Sequence, residues 1–167
     1  YQMMFAIITP ALITGAFTNR VTFKAYLIFL IVWLLFVYFP FVHMVWGGGL
    51  LAQWGVLDFA GGIVVHAIAG LAALESVFYL GKRKVAEHGP HSIPLVALGT
   101  GLLWFGWYGF NAGSTLGMGE PDVVARVAMN TTLAPSMGAI VAMIFAWVRY
   151  GKPDLTIALN GALAGLV

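Results

Sequence analysis

Six apolar blocks, at roughly 3–17, 25–42, 58–80, 93–113, 123–148 and 155–167, leave this chain few ways to fold. A helix needs about 20 predominantly apolar residues to cross the hydrocarbon core of a bilayer, and the middle four blocks reach that length. Transmembrane strands would instead show as alternating segments of about 10 residues. The blocks here are longer and continuous, so the pattern predicts an all-α, polytopic transmembrane helix bundle. Charged residues make up 8% of the 167, against about 25% in a soluble domain, too few to cover a water-facing surface.

The chain opens on YQMMFAIITPALI, without a Met start or a basic leader, and stops inside the apolar run NGALAGLV. Both ends read as cuts through helices, which predicts a piece of a larger protein with truncated termini. Basic residues give the bundle a direction. Arg20 and Lys24, then Lys82, Arg83 and Lys84, then Arg149 and Lys152 follow alternate blocks, whereas loops 43–57 and 114–122 carry no Lys or Arg. The positive-inside bias therefore assigns loops 18–24, 81–92 and 149–154 to the cytoplasmic side and the other two to the outside. A net charge of +2 gives no reason to expect a nucleic-acid partner. Cysteine is absent, so disulfides and thiolate metal sites are excluded, and no metal or cofactor is expected.

The segment DFAGGIVVHAIAGLAALESVFYLGKR, residues 58–83, carries a titratable ring inside a lipid-like stretch. Asp58 stands where an N-cap belongs, its carboxylate available to orphan backbone N–H groups. His66 lies eight residues on, about 12 Å along a helix at 1.5 Å per residue, near mid-depth of a core about 30 Å thick. Its neighbours three and four residues away are Gly62, Ile63, Ala69 and Gly70, mostly small, so this face packs closely or lines a cavity. A lone histidine in a soluble core is usually structural; an ionisable residue inside a membrane is a functional candidate by default. Glu75 falls nearly half a turn from His66, toward the basic end, and reads as an interhelical or headgroup-region contact. His43, His88 and His91 sit at segment ends, where interfacial roles are expected.

Two aromatic stretches flank the outer loops. In HMVWGGGLLAQW, three glycines free the backbone beside Trp46. A tryptophan at a membrane interface is usually an anchor; beside a glycine turn its ring face can instead hold a cation. Composition alone favours the anchor. WFGWYGFNAGS ends the next block with aromatics and then Ser114, a hydroxyl at the outer mouth, and by itself this too reads as an interfacial belt. The glycines, 21 in all, mostly suit close helix packing. No nucleophile–base pair, metal cluster or phosphate loop is visible, and GGG lacks the lysine and strand of a P-loop, so catalysis is not expected.

Taken in order, ITPALITGAFTNR, HMVWGGGLL, DFAGGIVVHAIAGLAAL followed by GKR, and GFNAGS resemble the ammonium transporter family (Amt/MEP/Rh). HMVWGGG is closer to the Amt/MEP branch. The resemblance covers essentially the whole chain. It implies a fold of about eleven helices built from two inverted five-helix repeats, of the kind known for transporters. Residues 1–167 would form a partial ammonium transporter domain, about the third to the eighth transmembrane helix. The resemblance further implies a homotrimer with a pore through each subunit, ammonium and ammonia as substrate (methylammonium as analogue), and a place among the lipids of a bacterial or archaeal cytoplasmic membrane. A PII-class regulatory protein would dock on the cytoplasmic face.

Roles follow by position from the same resemblance. Trp46 and Ser114 match the outer recruitment site, Phe5 completes that vestibule, and Tyr1 occupies a position often taken by another vestibule aromatic. Phe5 and Phe110 match the phenyl gate beneath. His66 matches the first of two pore histidines, the second lying beyond Val167, and Trp107 matches a pore-lining tryptophan. Asp58 matches an acidic residue that orders the vestibule loop and helix start. Physically, an apolar pore rejects an unpaired charge, which costs several kcal/mol or more to bury, while neutral ammonia passes. An uncharged imidazole offers such a pore polarity without fixed charge. Alternatives at this stage are an ammonium sensor on the same scaffold and a pore for another small neutral solute.

Overall fold

The computed structural model describes residues 1–84 and 89–167, so His88 and part of loop 81–92 lie outside the described residues. The chain forms two compact units, Tyr1–Glu87 and His88–Val167. Among the described residues there is no strand, and every element is helical. Four helices are long and apolar enough to cross a membrane: Phe23–Gln53, Gly62–Leu80, Ile93–Thr115 and Pro121–Tyr150. They correspond to the four blocks that the sequence marks as full spans. Large apolar side chains such as Phe23, Phe36 and Phe105 face outward, as a lipid-facing surface requires.

The first unit contains α1 (Gln2–Leu12), α2 (Thr14–Phe17), α3 (Phe23–Trp33), α4 (Phe39–Trp46), α5 (Leu50–Gln53) and α6 (Ile68–Leu80). Thr22 caps α3, its hydroxyl accepting from the Ala25 N–H at 3.3 Å. Two π-helical turns interrupt the regular ladder, Leu34–Tyr38 between α3 and α4 and Gly62–Ala67 ahead of α6. Ile13, Phe17, Trp33, Tyr38, Val64 and Ile68 are among the side chains of its core.

Here the structure departs from the sequence reading. Helix persists through Trp46 and resumes at Leu50, so only part of 43–57 is loop. The break is the work of the three glycines. Gly48 adopts a left-handed φ of 74°. The N–H groups of Gly47 and Gly49 both donate to the His43 carbonyl, at 3.0 and 3.1 Å. A Cβ on Gly49 would lie 2.7 Å from the Met44 Cα, so this closure admits no side chain. Likewise residues 58–61 are a capping loop, and the helix starts at Gly62.

The second unit contains α7 (Ile93–Asn111), a 3-10 turn (Ala112–Thr115), α8 (Pro121–Tyr150) and α9 (Leu155–Leu166). α8 ends at Gly151, left-handed at φ 78°, and Asp154 caps α9. The crossing of α8 and α9 brings backbones into direct contact. A Cβ on Gly138 would collide with the Gly161 carbonyl, and one on Gly165 would lie 2.5 Å from the Ala134 carbonyl oxygen. Small residues permit that approach, the usual basis of helix association in lipid.

Candidate functional site

Within the first unit, four of the sequence-predicted residues form a connected group. The Phe5 ring, 3% exposed, lies edge-on to Tyr1 at 5.1 Å and to Trp46 at 5.8 Å between centroids. The Trp46 indole N–H donates to the backbone carbonyl of Asp58 at 2.8 Å. The Asp58 carboxylate turns the other way. One oxygen accepts from the Gly61 N–H at 2.6 Å, the other from Ile63 and Val64 N–H at 2.9 and 2.7 Å. Those are orphan donors at the start of the helix that carries His66.

His66 itself sits in the π-helical turn. Its N–H reaches five residues back to the Gly61 carbonyl at 3.1 Å, while Val65 takes the same oxygen at 2.9 Å. The wider turn changes which residues share the histidine's face on its N-terminal side, so the α-helical spacing to Gly62 and Ile63 does not apply there. Single π turns inside helices are rare and recur at functional sites. Gly61 makes the geometry possible. Its φ is +106°, and an ideal Cβ there would meet the Val65 side chain at 2.8 Å and Phe5 Cδ1 at 3.6 Å. The Phe5 ring therefore lies beside the residue that precedes the histidine's turn.

Sequence reasoning missed what holds Phe5 from behind. The Thr9 hydroxyl, wholly buried, donates to the Phe5 carbonyl at 2.6 Å. Tyr38, 2% exposed at the end of the other π turn, hydrogen-bonds to Thr9. A Thr four residues after an aromatic is too common a pattern to flag this in advance.

The remaining predicted residues belong to the second unit. Trp107 is buried and its ring lies 5.5 Å from Phe110, tilted by 34°. Ser114 is half-buried in the 3-10 turn, and its hydroxyl donates to the Phe110 carbonyl at 2.7 Å. Asn111, also unflagged by sequence, ties three helices together. Its amide donates to the Thr131 hydroxyl at 3.2 Å and to the Leu166 carbonyl at 3.1 Å. Among the described residues no cluster of three or more His, Asp or Glu forms a metal centre.

A profile of the Ammonium Transporter Family matches residues 1–167. The chain belongs to the ammonium transporter family. Among curated relatives, an ammonium transporter of Aquifex aeolicus is 51% identical over 167 residues, covering 100% of this chain and 39% of its own. Ammonium transporter Amt1 of Archaeoglobus fulgidus is 46% identical over 169 residues, covering 99% of this chain and 42% of its own. An ammonium transporter of Bacillus subtilis is also 46% identical, covering 100% and 41%. The chain thus spans about two fifths of the length of these relatives. All three are named as transporters, not enzymes. Membership in this family, with four helices able to span a bilayer, makes this a stretch of a multi-pass membrane protein.

Proposed function

We propose that this chain supplies the outer vestibule and half of the histidine-lined path of an ammonium-conducting pore in the cytoplasmic membrane. In this reading Trp46, Phe5, Tyr1 and Ser114 receive the ammonium ion. Aromatic faces attract a cation electrostatically, and an oxygen acceptor answers its N–H groups. Phe5 and Phe110 form the gate beneath. Ammonium then gives up one proton, and the neutral ammonia passes an apolar tunnel beside His66 and Trp107, where an intact cation would lose its hydration without recompense. His66 accepts a hydrogen bond from ammonia or relays the released proton. The chain would be the third to eighth helices of each subunit in a homotrimer, with the 18–24, 81–92 and 149–154 loops forming part of a docking face for a PII-class regulator.

One observation carries the proposal. Asp58 links two of the residues assigned to this role, its carbonyl accepting from the Trp46 indole and its carboxylate capping the His66 turn. The full-length protein containing this chain, reconstituted in liposomes, should pass an ammonium-evoked current. Ammonium binding with no current and no internal pH change would overturn conduction and leave a sensor. A His66→Ala variant that kept normal proton-coupled flux would remove the histidine from the path.

A further inference from the structure

Thr9 and Tyr38 lie behind Phe5, and both are shut away from solvent, at 0% and 2% exposure. Thr9 stands one turn after Phe5 in α1 and directly before Pro10. Proline has no N–H, so the Ala6 carbonyl loses its helical donor, and the residue before a proline is pushed away from helical backbone angles. The turn from Phe5 to Thr9 is therefore weakened by its own sequence. The Thr9 hydroxyl braces it, donating to the Phe5 carbonyl at 2.6 Å. A threonine hydroxyl has one proton, so in the hydrogen bond between Thr9 and Tyr38 the tyrosine is the donor. Two hydrogen bonds in series thus run from Tyr38 through Thr9 to the main chain of Phe5.

Tyr38 is itself fixed. It closes the π turn Leu34–Tyr38, and its ring lies 6.1 Å from that of Trp33, which is also buried. α1 packs against this π turn and against the one that carries His66. On that second side the Phe5 ring lies beside Gly61 and edge-on to Trp46. The direction in which Phe5 leaves the main chain decides whether its ring meets Trp46. Removing either hydroxyl leaves a buried group without its partner, which costs more than the bond itself was worth. It also releases the Phe5 turn to move relative to Trp46.

We propose that Thr9 and Tyr38 are positioning residues for ammonium recruitment, acting without touching the ion by holding the Phe5 main chain so that its ring meets Trp46. This role presupposes that Phe5 lines the vestibule, which Phe5→Ala tests on its own. Ammonium-evoked current is measured against ammonium concentration in liposomes that hold the full-length protein. Phe5→Ala should raise the half-saturating concentration. Tyr38→Phe, which removes a single oxygen, should raise it by roughly two- to tenfold, the population shift that one lost hydrogen bond permits. Thr9→Val should do the same, and Thr9→Ser should keep the parent value. In a Phe5→Ala background Tyr38→Phe should add nothing, because it acts through that ring. An unchanged half-saturating concentration in Tyr38→Phe, beside a raised one in Phe5→Ala, overturns the proposal even if the melting temperature falls, since the hydroxyls then only support the fold. An increment that persists without the Phe5 ring overturns it too, as does a Thr9→Ser as impaired as Thr9→Val. An unchanged value in Phe5→Ala removes Phe5 from the vestibule, and the positioning role with it. Should Thr9→Val fail to fold, Tyr38→Phe and its combination with Phe5→Ala decide.

Discussion

The indole N–H of Trp46 donates to the backbone carbonyl of Asp58 at 2.8 Å, across a loop that contains three successive glycines. This bond joins the end of α4 to the residue that caps the π-helical turn of His66. The aromatic ring and the imidazole turn are therefore positioned by one loop residue, through main chain on one side and side chain on the other. A disturbance at Asp58 reaches both.

Asp58→Ala leaves three backbone N–H groups without their carboxylate acceptor. Loss of a charged acceptor from such donors should destabilise the protein by about 2–3 kcal/mol. Thermal unfolding of the purified full-length protein measures this. Trp46 emission should shift in the same variant, because its carbonyl partner moves with the loop. An unchanged melting temperature would show that the cap contributes nothing.

The legible and illegible parts of this molecule divide on physical grounds. Apolar block length announces helices because lipid admits almost no other backbone. Asp58 was readable because a carboxylate just ahead of an apolar run has few other uses. The π turns at Leu34–Tyr38 and Gly62–Ala67 were not, since a widened turn leaves no compositional mark. Nor was the clamp at Asn111, which in GFNAGS looks like the polar edge of an aromatic belt. Continuation of helix through His43–Trp46 was missed because a run of glycines signals a loop without saying where it begins.

Gly165 should resist even the smallest side chain. A Cβ there would lie 2.5 Å from the Ala134 carbonyl oxygen and 2.7 Å from the Pro135 Cα, both backbone atoms that cannot rotate away. Gly165→Ala should cost about 1–3 kcal/mol, the usual penalty of overpacking. Denaturant or thermal unfolding would register it, and a neutral result would mean that α8 and α9 slide apart freely.

Asn111→Ala removes the amide that reaches both Thr131 and Leu166. Hydrogen bonds between membrane helices average about 0.6 kcal/mol, so the two together predict a loss near 1 kcal/mol. Asn111→Gln should not restore it, because the longer side chain displaces the amide from both acceptors. A double-mutant cycle with Thr131→Val isolates that share of the loss.

Asp154 supplies the pH dependence outside the membrane spans. Hydrogen bonds from the Thr156 hydroxyl and the Ile157 N–H hold its carboxyl below the usual carboxylate value, with Lys152 nearby adding to the effect. A depressed folded-state pKa means that the stabilisation is present above the unfolded value and lost as pH falls through the folded one. Asp154→Asn should therefore be less stable than the parent at neutral pH. The difference should vanish as pH drops below the ordinary aspartate range. Unfolding of both proteins between neutral and strongly acidic pH measures the gap, and a pH-independent difference would point to the side chain's shape instead of its charge.

Trp46 offers two separable groups, an aromatic face and an N–H donor. Trp46→Leu removes both, and in the proposed vestibule it should weaken selection of ammonium over K⁺ by about two- to thirtyfold, the span of cation–π strengths from exposed to desolvated sites. Trp46→Phe keeps a ring but loses the bond to the Asp58 carbonyl. It should retain part of the ion preference while lowering the stability by the worth of one neutral hydrogen bond, about 1 kcal/mol. Ion-substituted currents and thermal unfolding on both variants separate recognition from support. If Trp46→Leu left the ion preference intact while destabilising the loop, the tryptophan would be only a strut between α4 and the His66 turn.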